Sequence, residues 1–154
     1  MINAAMSVIA LKELGEYPKY SLVLIENKDK NGFCGFNINL NFALDKSYED
    51  ARKEIQDDII KILTLIRREQ DLSGHIEGKW CNNVPEGTEI NVELIRIEAI
   101  SFTKDRGEGA LKEAYPDLHE FIQENFKVKE FKYTPFGMTI FYQVELENTF
   151  KIKL

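Results

Sequence analysis

Residues 47–69, SYEDARKEIQDDIIKILTLIRRE, form the longest uninterrupted periodic stretch of the chain. Ala51, Ile55, Ile59, Ile62, Leu63 and Ile66 recur at helical spacing, so one side of a helix has to be buried. Ser47 suits the N-cap, and Asp50 three residues later can close a shortened capping box. Glu49 and Asp50 put negative charge in the first turn, and Arg67 and Arg68 put positive charge in the last. Both choices favour the helix dipole. No Gly or Pro interrupts the stretch. A helix with one apolar side needs an apolar surface to lie on, and the rest of the chain must supply it.

The preceding segment offers that surface. Tyr20–Asn27 reads as a strand, and its run of Leu22, Val23, Leu24 and Ile25 is apolar on both sides, as in the interior of a sheet. Asn31-Gly32 marks a hairpin turn. Residues 33–44 then alternate, with Phe36, Ile38, Leu40, Phe42 and Leu44 on one side and Asn37, Asn39 and Asn41 on the other. The Asn row is either a solvated sheet face or a set of amides for a partner strand or ligand. Residues 4–13 suit the start of a helix or an edge strand. Gly15 and Pro18 break the pattern, leaving 1–18 as a candidate loose lead.

Beyond the helix, residues 71–87 form a Gly- and Asn-rich connector. His75, Ile76, Trp80 and Cys81 suggest a short strand within it, at a sheet edge. Trp80 is the one candidate for an exposed aromatic anchor there, with a core cap as its other reading. Residues 88–102 read as a long strand whose apolar phase switches at Leu94-Ile95, which predicts a bulge, a bend or burial on both faces. Residues 110–126 are helical, with Pro116 opening a new helix. Leu111, Tyr115, Leu118, Phe121 and Ile122 make the apolar side, and Asp117, Glu120 and Glu124 make an acidic stripe opposite. Residues 127–147 form a hairpin around Pro135, Phe136 and Gly137. The expected order is β-β-α-(β)-β-α-β-β within a single α+β domain spanning 1–154. It is a mainly antiparallel sheet of about five strands with two helices packed on one face.

Tyr20, Val23, Ile25, Glu26, Asp29, Gly32 and Phe33, followed by Ser47, Glu49, Asp50 and Ala51, resemble the HicB-type antitoxin domain over residues 19–66. That family has a hairpin with an Asp/Gly turn and then a helix opening Ser/Thr-x-Glu-Glu-Ala. Its Asp-Leu-Pro-Gly-Cys-like stretch before the helix has no counterpart between Asn37 and Leu44, and its DNA-binding C-terminal segment is replaced by the hairpin. The resemblance therefore implies a toxin-neutralising domain rather than an operator-binding repressor.

Charge points the same way. The net charge is -6, and residues 72–126 carry eleven acidic against five basic residues. Residues 127–154 reverse the sign, with five basic and three acidic. An acidic middle repels phosphates, so direct nucleic-acid binding is not expected, and a basic protein partner suits it. Catalytic signatures are missing: the glycines are scattered and no zinc-ligand spacing occurs, so no cofactor or metal is expected. Cys34 and Cys81 fall in different elements and read as reduced thiols of a cytoplasmic protein. No apolar run reaches the roughly 18 residues of a membrane span. His75 stands alone among candidate ligands, and His119 reads as a solvated histidine beside the acidic stripe.

The sequence thus points to a non-enzymatic acidic protein that binds and neutralises a basic partner, such as a nuclease toxin, in the manner of an antitoxin or immunity protein. The candidate contact residues are Asp117, Glu120, Glu124, Asn37, Asn39, Asn41 and Trp80. A small enzyme with a carboxylate- or thiol-based site, and a phage-type inhibitor or assembly protein, stay open as alternatives. Homo-oligomerisation also stays open.

Overall fold

The computed structural model describes residues 4–11, 20–27, 33–38, 48–81, 86–100, 109–136 and 139–154. They build an α+β fold on one seven-stranded sheet. The strands are β1 (Ala4–Leu11), β2 (Tyr20–Asn27), β3 (Phe33–Ile38), β4 (Ile76–Cys81), β5 (Glu89–Ile100), β6 (Val128–Phe136) and β7 (Thr139–Lys153). The helices are α1 (Tyr48–Arg67), α2 (Ala110–Ala114) and α3 (Pro116–Asn125), with a 3-10 turn at Ser73–His75. The sheet order is β4-β1-β2-β3-β5-β7-β6. Every neighbouring pair is antiparallel except β3 and β5, which run parallel because α1 and β4 intervene in the chain.

Seven strands replace the expected five or so. One addition is β1, which takes the strand of the two readings open for residues 4–13, in the interior of the sheet instead of at its edge. It is an interior strand paired on both sides, with β2 and with β4. Its apolar residues gave no period long enough to separate strand from helix, and long-range pairing decides such cases. The other addition is β4, at the sheet edge as the connector suggested.

The anchor helix behaves as its spacing requires. Ile55, Ile59, Ile62, Leu63 and Ile66 are all at most 3% exposed. Each such burial contributes about 1.5–3 kcal/mol. Ser47 lies outside the described residues. Alternate rows of the sheet meet this layer. Ile95 pairs with Val144 and Ile97 with Tyr142, and all four side chains are buried. The row between them, Arg96 with Gln143, is only half buried. Along β5 and β7 the helices therefore pack on the face that carries Ile95, Ile97, Tyr142 and Val144.

The phase switch in β5 has a local cause. A register shift lies between Val92 and Leu94, one position before the expected site. It carries Ile90 and Val92 onto the same buried side as Ile95 and Ile97. Pro116 opens α3 as its spacing predicts. The hairpin continues further than expected, since β7 runs to Lys153. Leu72 N–H donates to the Lys153 carbonyl at 2.7 Å, and Leu154 N–H donates to the Thr88 carbonyl at 2.9 Å. These bonds tie the segments before β4 and β5 to the end of β7.

Candidate functional site

The acidic stripe stands on a helix that is fixed from below. Leu118 and Ile122 are fully buried, while Asp117, Glu120 and Glu124 are all exposed. A turn of 3.6 residues puts these carboxylates on the far crest from the buried pair. The N-terminus of α3 is held by another helix. Tyr115 at its N-cap makes no side-chain cap bond, and Pro116 at the first position has no N–H to satisfy. The next two donors, Asp117 N–H and Leu118 N–H, both go to Gln56 Oε1 of α1, at 2.8 and 3.1 Å. His119 N–H then returns to the Tyr115 carbonyl at 3.0 Å, and the helical ladder begins. Gln56 is only 5% exposed, the one buried polar side chain among the described residues. A single amide from α1 thus completes the hydrogen bonding of the turn that carries Asp117.

Beside this crest lies a groove of about 660 Å³ between α3 and β6. His119 and Gln123 form the helix wall, Phe126 and Val128 the end, and Phe131 and Tyr133 the strand wall. His119 stacks on Phe131 at 5.3 Å between ring centroids with 27° between the planes, and Phe131 is followed by Tyr133 at 6.4 Å. Tyr133 meets the buried Tyr142 edge-on at 5.6 Å, which ties the stack to the core. Burial, and secondarily the Lys112 charge, hold the His119 imidazole below the ordinary histidine range. The expectation of a solvated histidine is therefore corrected. The aromatic partner comes from a strand that follows α3, and no local spacing reveals it.

Lys129 and Glu130, exposed and of opposite sign, complete the lining on the strand side. Glu120 and Glu124 are the residues next to His119 and Gln123 on the helix lip. Lys132, between Phe131 and Tyr133 on β6, is exposed on the other face of the sheet. Lys132 Nζ also donates to Glu145 Oε1 of β7 at 2.6 Å, and this bond raises its ammonium above the ordinary lysine range. Among the described residues β6 is an end strand of the sheet.

The other sequence candidates do not join this site. Asn37 sits in β3, opposite Ser21 of β2 and Glu98 of β5. Asn39 and Asn41 lie outside the described residues. Trp80 belongs to β4 and pairs with Val8. The β4 edge is the opposite end of the sheet from β6, so Trp80 and the acidic stripe belong to separate regions. Cys34 and Cys81 fall in one row of the sheet, through the pairs Cys34–Leu24, Leu24–Ser7 and Ser7–Cys81. Three strand spacings separate them, about 14 Å. That is well beyond the Cα separation a disulfide allows.

Among the described residues no group of three or more His, Cys, Asp or Glu is placed to hold a metal ion. No helix among them is long and apolar enough to cross a membrane. Comparison of the chain with protein-family models, with curated proteins and with solved structures gives no match.

Proposed function

We propose that this chain is a non-enzymatic binding protein of the antitoxin or immunity type, which captures a basic protein partner on the α3 crest. The observation that carries the reading is the mounting of Asp117, Glu120 and Glu124. Three exposed carboxylates project from one helix whose opposite side is fully buried and whose first turn is held by Gln56. Such a crest presents charge without having to order itself on binding, which keeps the entropic cost of association low. The acidic excess of residues 72–126 adds a longer-range field that raises the encounter rate with a basic surface. The resemblance of residues 19–66 to the HicB-type antitoxin domain supports the same class of function.

The test is substitution of the crest. Asp117→Lys, Glu120→Lys and Glu124→Lys together reverse it while leaving Leu118 and Ile122 in place. The triple variant is expected to keep its fold, because exposed carboxylates contribute little to stability. Its association with the partner should slow, mainly in the on-rate, and the wild-type rate should fall as salt is added. Equal rates for the two proteins, insensitive to salt, would remove α3 from the interface.

A further inference from the structure

We propose that the outer edge of β6, together with the groove beside it, takes up an extended segment of a partner protein as an added strand. Two observations converge on Phe131. The first is the direction of its backbone. Pro135 has no N–H, and a proline in a sheet turns its nitrogen away from the neighbouring strand. N–H and C=O groups alternate in direction along an antiparallel pair, and the register from Glu130 to Phe136 is regular. Phe131 lies an even number of residues before Pro135, so it points both groups away from β7. Among the described residues β6 is an end strand, and no backbone bond from Phe131 leads outside the β6–β7 pair.

The second observation is the side chain. Phe131 and Tyr133 share the face of the buried Val144 and Tyr142, and their half-exposed rings line the groove with His119 and Gln123. Lys132 and Thr134 are exposed on the other face. A strand added beside Phe131 sets alternate side chains against those rings and the rest beside Lys132 and Thr134. The segment therefore alternates apolar and polar residues. Lys129 and Glu130 cancel in the lining, so backbone bonds and ring contacts hold the segment without a net charge. The register shift between Val128 and Glu130 and the missing donor of Pro135 bound the edge at its two ends, which limits the addition to a short segment. A second copy of this chain fits the edge poorly. Two β6 strands paired about a two-fold axis would bring both acidic α3 crests to the same face on either side of the join, where like charges repel.

This contact does not rest on the crest carboxylates, so salt tells its failure and theirs apart. The probe is an array of immobilised heptapeptides that alternate valine, isoleucine or phenylalanine with serine or threonine. A control array carries the same compositions in apolar and polar blocks. The full wild-type chain should be retained by alternating peptides alone, equally at low and high salt. The best-retained peptide is then methylated at every second amide nitrogen, in each of the two phases. Only one phase turns its donors towards β6, so one methylated form should lose about tenfold or more in affinity while the other keeps it. Exchange of the Phe131 N–H should slow about tenfold or more in the complex. Phe131→Ala, which keeps the backbone and removes the ring, should stay folded and bind about tenfold more weakly. No retention, equal retention by both arrays, equal loss in both methylated phases, or unchanged exchange at Phe131 would overturn the inference. Wild-type affinity in folded Phe131→Ala would overturn it as well. Dimers of the chain alone that dissociate as the peptide binds would also overturn it, and give the edge to a second copy.

Discussion

Removing the Gln56 amide is expected to loosen α3 without emptying the core. Its Oε1 is the only acceptor shown for Asp117 N–H and Leu118 N–H, and the Leu118 bond is fully buried. A buried donor left without a partner costs about 1–3 kcal/mol, and loss of a helix cap costs about 0.5–2. With one donor buried and one half-exposed, about 2–3 kcal/mol is the expected loss. Gln56→Met isolates that term, since it keeps nearly the same volume but offers no comparable acceptor. For a chain of this size each kcal/mol lowers the melting temperature by about 2–4 °C, so a fall of about 4–12 °C is expected. Circular dichroism melts give the number, and amide hydrogen exchange locates it. Exchange should accelerate at Asp117 and Leu118, while α1 amides near Ile59 keep their protection. A Gln56→Met protein that melts within about 1 °C of wild type, with unchanged exchange at those amides, would refute the capping argument.

Ile55→Asp places a charge at a site that is 3% exposed and should abolish folding, since an unpaired buried charge costs several kcal/mol against a total of about 5–15. A cooperative melt near the wild-type temperature would contradict the burial of this side of α1. Replacing Cys34 and Cys81 together with Ala should leave partner capture intact, and the wild-type protein should migrate identically on gels with and without reductant. A reductant-dependent shift would contradict the row register that holds the two residues three strands apart. His119 titrates below the ordinary histidine value of 6.5, so the folded state takes up its proton at lower pH than the unfolded chain does. Its contribution is present above that value and is lost as pH falls below it. His119→Gln should therefore melt with a shallower loss of stability than wild type as pH drops below about 6.5. Parallel curves for the two proteins would contradict the burial of the imidazole.

Much of this architecture was legible because local chemistry and tertiary packing agree. The isoleucine spacing of α1 and Pro116 at the start of α3 each have one cheap solution, and the fold adopts it; Asn31-Gly32 lies outside the described residues. The phase switch in β5 also announced its irregularity, since no regular strand could bury Ile90, Val92, Ile95 and Ile97 on one face. What sequence could not supply was partnership across distance. β1 is a strand because β2 and β4 flank it, and nothing within residues 4–11 encodes that. The acidic stripe was readable as a helical period, but the groove beside it was not, because Phe131 and Tyr133 arrive on a later strand. One signal was available for the cap. Gln56 lies three residues before Ile59 and seven before Leu63, on the apolar side of α1. A polar amide at such a position must find a hydrogen-bond partner, and here the partner is the α3 N-terminus.

Capture from native lysate at low and high salt, with the wild-type chain and the Asp117→Lys, Glu120→Lys, Glu124→Lys variant side by side, tests the central claim most directly. Retention by the wild type of a basic protein that is released by high salt, and its absence from the folded variant, is the predicted result. Retention of the same protein by both chains, unaffected by salt, would contradict capture on the α3 crest.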